Sequence, residues 1–386
     1  MKQVHEVRIY ESDRGRGRSS DVGFDYILLI IVLTISALGL IFLNSAQYDK
    51  YADHGVRAMI IQVAGIVIGV ALALLLNFVD YGYLRNLSFP FYIINVALML
   101  AVFIPGLGSS SGGSRSWIDL KFVTYQPAEL MKPAFIIVAA KYIERIREEE
   151  ITTEDFVVLL ISFLIPLALM FLQMDLGMVM TLCVIFIVML FVGKIKFKFR
   201  HIAVLAGVAL VGVAFVWKFY LNSTRRARIM AFFQPEKYPE YSLQQTRSIT
   251  AIGSGKLFGQ GIGEGSMNTS NKILVKLSDM IFSVIGEEGG FLWCLIFVGL
   301  FAALLIKMIS ISSKARDIFG QCIAAGIFAM FAAYIFENLG MNVGILPITG
   351  LPLPFVSQGG SAMVTNFISI GLLLSISKRR KKGVFV

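Results

Sequence analysis

Long apolar runs separated by short polar stretches dominate this chain. A hydrocarbon core about 30 Å thick needs roughly 20 helical residues to cross it. By that ruler, apolar runs fall at 25–46, 58–79, 88–105, 127–143, 155–172, 177–193, 201–220, 279–306, 318–340 and 360–377. The pattern predicts an all-α polytopic integral membrane protein of about ten transmembrane helices, one membrane domain over 25–377. Residues 1–24 are polar and basic, and the run after them is too long for the apolar region of a cleavable signal peptide. They predict a cytoplasmic N-terminal tail, and 378–386 predict a second, basic tail.

Composition agrees with this pattern. Of 386 residues, 56% are hydrophobic and only 16% charged, against about 25% charged in soluble domains. A cytosolic enzyme, a disordered protein and a secreted disulfide scaffold are excluded. Cys183, Cys294 and Cys322 all sit in apolar runs, so no disulfide framework is expected. The net charge of +10 is read as topology and lipid contact, not as a nucleic-acid surface. With both termini cytoplasmic, the inside segments hold 21 of the 35 Lys and Arg residues, and the short external loops hold only Lys50, Arg57, Arg115 and Lys121. That bias obeys the positive-inside rule.

One external segment departs from the rule, as long loops do. Residues 221–278, between the seventh and eighth spans, carry eight basic residues, Arg228 among them, against three glutamates. This large extracytoplasmic loop is either a solvated segment touching anionic headgroups or a site for a phosphate-bearing substrate at the membrane surface. Other chemistries lack their residues. Gly253-Ser254-Gly255-Lys256 does not have the spacing of a phosphate-binding loop, and no strand precedes the alternating glycines from Gly259 to Gly265. The three histidines have no metal-ligand neighbour at helical spacing, so no protein metal site is expected.

Ionisable groups inside spans are costly and mark function by default. Glu129 and Lys132 stand three apart on one face of the fourth helix. They form either a structural ion pair or a lysine facing an anion-receiving cavity. Asp175, between two spans with almost no loop, is either a helix cap or a functional carboxylate. The same pair of readings holds for Asp279, where the basic loop re-enters the membrane, with Glu287 and Glu288 deeper in the same helix. The stretch 338–361 has three prolines, many glycines and one charge-free run to Ser361. Non-helical backbone at membrane depth survives only where it is buried or lines a cavity. The stretch is therefore expected to be either a re-entrant segment lining a site, with Ser357, Gln358 and Ser361 as candidate substrate-binding residues, or a rigid connector.

Together these segments resemble the shape, elongation, division and sporulation (SEDS) family, the RodA, FtsW and SpoVE proteins of bacteria. The resemblance runs from the first span to about Ser377. Its most specific part is Gly344 to Ser361. Trp117, Gln126-Pro127-Ala128-Glu129 with Lys132, Gln173-Met174-Asp175-Leu176-Gly177, Ala251 to Gly255 and Glu287-Glu288-Gly289 are similar to other motifs of the family. The resemblance implies a peptidoglycan glycosyltransferase of the elongation, RodA-like branch that polymerises lipid II, an undecaprenyl-pyrophosphate-linked disaccharide-pentapeptide, outside the cytoplasmic membrane, for cell elongation and shape or division. It implies as partners a class B penicillin-binding protein, the nascent glycan strand and other elongation or division proteins. The family's catalytic carboxylate follows Leu-Pro-Glu-x-His-Thr, and here that position is Asp279. This chain departs there, with Ile273-Leu274-Val275-Lys276-Leu277-Ser278 in front of it.

Glycan growth needs a base for the acceptor hydroxyl and cations for the departing pyrophosphate, from side chains or a divalent ion such as Mg. Asp279 suits the base, and Lys132 and Arg228 suit the phosphates. Two other classes share the gross features: a lipid flippase, for which no inverted repeat is seen, and a non-catalytic scaffold of the wall-synthesis complex.

Overall fold

A computed structural model describes residues 23–47, 54–111, 114–119, 124–148, 152–195, 199–215, 223–270 and 275–380. Most of both expected tails, 1–22 and 381–386, lies outside the described residues. Each predicted run is a helix: α1 (Tyr26–Ala46), α2 (His54–Phe78), α3 (Leu84–Ala101), α4 (Pro127–Glu148), α5 (Thr153–Leu172), α6 (Leu176–Gly193) and α7 (Phe199–Phe215) form the first seven. Between α7 and the next pass stand α8 (Ser223–Phe233), α9 (Pro239–Ser254) and the single turn α10 (Ser266–Thr269). The eighth pass is α11 (Ile281–Val284), a π-turn over Ile285–Gly289 and α12 (Gly290–Ser313); α13 (Ile318–Asn342) and α14 (Gly360–Lys378) complete it.

Seven of these passes are long and apolar enough to cross a membrane on length and composition alone. The other three are α4, α6 and α7: α4 carries charges along its length, and α6 and α7 are short. The protein is an all-α multi-pass membrane protein of about ten helices. Side chains such as Phe191, Leu210 and Phe78 project outward, 83%, 73% and 72% exposed, as a hydrocarbon-facing surface requires. The α4 and α13 helices are instead buried almost all round and form the centre of the bundle.

Three features differ from the expectation. Three short strands, β1 (Gly108–Ser111), β2 (Ser114–Asp119) and β3 (Thr124–Tyr125), form a small antiparallel sheet in the order β1-β2-β3. The described residues of the large loop 221–278 are largely helical, and α9 packs on the π-turn and on α13. The helix α13 runs to Asn342, so Asn338 to Asn342 are helical and only 343–359 is irregular. That irregular stretch is buried at Leu351, Leu353, Phe355 and Val356. The Phe355 ring stacks on Phe331 at 5.4 Å and meets Phe367 edge-on at 5.3 Å. It is a re-entrant segment inside the bundle.

Candidate functional site

The chain direction puts the N-terminal ends of α4, α6, α12 and α14 and the C-terminal ends of α5 and α13 at one end of the bundle. Asp175, Asp279, the re-entrant segment and α8–α10 all gather there. Pro127 opens α4 at a first-turn position, where a missing N–H costs nothing, and this sets Glu129 and Lys132 one turn in.

At the centre of this end, Lys132 is fully buried and donates to Glu129 Oε2 at 2.9 Å. The Tyr334 hydroxyl donates to the same oxygen at 3.1 Å, and its ring lies 4.4 Å from Lys132 Nζ. Met178 Sδ is 3.0 Å from Nζ. Glu337, one turn beyond Tyr334 on α13, is 5% exposed. Among the described residues Lys132 pairs with Glu129 alone, and Glu337 Oε2 and Glu129 Oε1 have no hydrogen-bond partner there.

The two candidate caps resolve in opposite directions. Asp175 does cap a helix: Oδ1 accepts from the Met178 N–H at 3.2 Å and Oδ2 from Gln126 at 3.0 Å. Asp279 caps nothing. The helix after it starts at Ile281, its N-cap position is Met280, and no side chain bonds there. Asp279 is half-buried, partly open at the surface but enclosed by protein on its other sides. Burial raises its carboxyl above the usual 3.8, against a lowering hydrogen bond from Ser278. Burial likewise raises Asp175, with the Met178 N–H and Lys132 acting the other way.

What fixes Asp279 is its backbone. Leu277, Ser278 and Asp279 lie in an irregular turn held by Ser278 and Met280 N–H groups on the Val275 carbonyl. The three consecutive carbonyls are each taken by a distant segment. Leu277 O accepts from the Gln358 N–H at 2.8 Å, and Ser278 O from the Ser357 hydroxyl at 2.5 Å. Asp279 O accepts from both Asn338 and Asn342 Nδ2, each at 2.9 Å. Gly350, at φ +80°, passes its backbone beside the carboxylate: a Cβ there would come within 3.6 Å of Asp279 Oδ2. The Gln62 side chain locks the other side of this latch, donating to Ser357 O at 3.0 Å and accepting from the Gly359 N–H at 3.1 Å.

Glu287 and Glu288 hold the glycine loop. Glu287 accepts from the Met267 and Asn268 N–H groups at 2.6 and 3.0 Å, and Glu288 from Ser45 and Asn268 side chains at 2.8 and 2.7 Å. The loop backbone runs directly on the π-turn, with Gln260 and Gly261 N–H groups on the Glu287 and Glu288 carbonyls.

Of the expected site residues, Glu129, Lys132, Asp175, Asp279, Ser357 and Gln358 are brought to this end. Ser361 stands in the first turn of α14. Arg228 is on α8, its side chain outside the described residues. Tyr334, Glu337, Asn338, Asn342 and Gln62 also stand at this end, without having been expected there as site residues. Glu337 is a carboxylate within an apolar span and carried the same signal as Glu129; Asn338 and Asn342 share a helix face at i, i+4. Among the described residues no three or more His, Cys, Asp or Glu side chains are grouped to hold a metal. Those residues form no ready-made cage for a divalent cation.

Comparison with known proteins bears on this arrangement. The family model for cell cycle proteins of the FtsW, RodA and SpoVE type matches residues 25–382. The chain is 32% identical to a probable peptidoglycan glycosyltransferase FtsW of Trichlorobacter lovleyi, over 92% of this chain and 93% of that one. It is 31% identical to the peptidoglycan glycosyltransferase MrdB of Escherichia coli, over 93% and 95%. Among solved structures, a chain from a peptidoglycan synthase complex that coordinates polymerization and crosslinking superposes with a TM-score of 0.74, at 26% identity over 92% of this chain and 98% of that one. The rod shape determining protein RodA of Thermus thermophilus shares the fold, with a TM-score of 0.68 at 24% identity over 94% and 99%.

Proposed function

The chain belongs to the FtsW, RodA and SpoVE family of cell cycle proteins, and from that premise we infer that it is a peptidoglycan glycosyltransferase. Its substrate is lipid II and its product a glycan strand. The reaction runs at the outer face of the cytoplasmic membrane, in company with a class B penicillin-binding protein that crosslinks the product. The family relationship and the peptidoglycan synthase neighbour support this reading.

The observation that carries the mechanism is Asp279: a half-buried carboxylate that caps no helix and whose peptide is fixed from three sides. Asp279 takes the proton of the acceptor sugar hydroxyl as that oxygen attacks the donor's anomeric carbon. The bond from that carbon to the lipid pyrophosphate breaks, and the pyrophosphate leaves with the electron pair. One displacement inverts the anomeric centre. A dry carboxylate is a stronger base than a solvated one, and lipid anchoring of both substrates supplies proximity. The cations of α8–α9, Arg228 included, receive the pyrophosphate. Lys132 and Glu129 brace the floor of the site, beside Asp175.

Purified protein given labelled lipid II in detergent tests the activity. Glycan chains are expected. Translocation in vesicles with no chain growth would instead identify a flippase, and neither activity a scaffold.

A further inference from the structure

The Asp279 peptide is tied not only to α13 but, through one side chain, to the basic segment. Asn342 is fully buried and uses both ends of its amide. Its Nδ2 donates to Asp279 O at 2.9 Å and to Asn338 O at 2.9 Å. On the other side, the buried Ser248 hydroxyl on α9 donates to Asn342, lying 2.9 Å from its backbone carbonyl and 3.0 Å from Oδ1. One turn earlier, Gln245 Nε2 donates to Met341 O at 3.2 Å and to Leu346 O at 2.7 Å. Thus α9 docks on the last turn of α13 by two side chains, one of which reaches the amide that holds Asp279. Asn338 makes the parallel bond to Asp279 O, but its Nδ2 otherwise goes to Leu351 O in the re-entrant segment.

The turn carrying Asp279 has no helix of its own to fix it, so these bonds set where its carboxylate stands. An error of about 1 Å in a reacting group costs on the order of 10²-fold in rate. We infer that Asn342 is a positioning residue for the reaction, which transmits the seating of α9 to the Asp279 carboxylate. It touches no substrate and acts through Asp279, so the inference rests on the assignment of Asp279 as the base. A substrate that seats the basic segment thereby also sets the base, and the coupling makes chain growth depend on an occupied phosphate side.

The test uses full-length purified protein and labelled lipid II, with rates normalised to folded protein. Asn342→Leu has nearly the same shape and no hydrogen-bonding amide. Its kcat is expected to fall about tenfold or more while KM stays within about twofold, the pattern of an interaction made only in the transition state. The acid limb of kcat moves as well, because the surroundings of Asp279 change. Asn342→Ser restores a bond to the i−4 carbonyl but is too short to reach Asp279. It should stay as slow as the Leu variant while recovering its thermal midpoint, and it serves if the Leu variant folds poorly. Ser248→Ala loses the α9 contact to Asn342 while Gln245 still docks α9, and it falls in the same direction by less. In an Asp279→Asn background Asn342→Leu should cost nothing further, since no base remains to be placed. A kcat within twofold of wild type in both Asn342 variants overturns the positioning role, even where Asp279→Asn is inactive. An active Asp279→Asn variant overturns the assignment of the base instead.

Discussion

The two ends of this helix bundle handle carboxylates in different ways. At the end where α3, α5, α7 and α13 begin, acids are matched with cations. Arg85 makes a two-pronged contact with Glu144, at 2.8 and 2.7 Å, and reaches Asp317 at 2.9 Å. Arg379 and Arg316 approach Asp80 at 3.5 and 3.9 Å, and Lys307 meets Asp25 at 3.0 Å. Asp25 and Asp317 also cap α1 and α13. At the other end, Lys132 pairs with Glu129, and among the described residues Asp175, Glu337 and Asp279 have no ion pair. A paired and capped acid is a structural element; an acid whose backbone is clamped but whose carboxylate is left without a cation is available for chemistry.

Mutations should separate the two ends. The largest stability effect is expected from Lys132→Ala, which strands Glu129 in the core. Breaking a buried pair from one side costs about 3–5 kcal/mol, read as a steep fall in thermal midpoint and folded yield. Arg85→Ala should cost less, about 1–3 kcal/mol, because Arg85 is partly exposed. Polymerisation per folded molecule should be unchanged, and a variant that is stable but inactive would erase the distinction between the ends. Asp175→Ala should lose a cap, about 0.5–2 kcal/mol, while Asp175→Asn keeps most of it. Glu337→Gln removes a buried charge and should leave the thermal midpoint level or raised; a fall of several degrees would show that its ionised form is paired.

The smallest effect is a pH dependence. The Asp279 carboxyl is raised above 3.8 in the folded protein, so folding favours its protonated form. Its contribution to stability is fully present below the unfolded value and is lost as pH rises through the raised one. The thermal midpoint of Asp279→Asn relative to wild type should therefore improve from acid pH to neutrality. In wild type the acid limb of polymerisation should have its midpoint above 3.8.

Seven of the passes were readable from the chain because length and apolarity suffice to define a span; α4, α6 and α7 showed only as apolar runs, one interrupted by charges and two short. The sheet was not, since β1 and β2 are short and serine-rich and β3 is only two residues long, too little for the alternation that marks a half-buried strand. The α8 and α9 helices hid in a polar, basic stretch. The roles of Asp175 and Asp279 had the same local signature, an acid just ahead of an apolar run; which one caps depends on where the helix starts, and the turn at Val275 and Met280 sets that in three dimensions. The latch on Leu277, Ser278 and Asp279 joins residues about 60 to 80 positions apart in sequence, which no local pattern reveals.

The most direct measurement is glycan chain formation from labelled lipid II by purified Asp279→Asn protein. A loss of about 10²–10⁴-fold is expected, with thermal stability and lipid II binding close to wild type. Polymerisation near the wild-type rate would contradict it, and Asp279 would then not be the base.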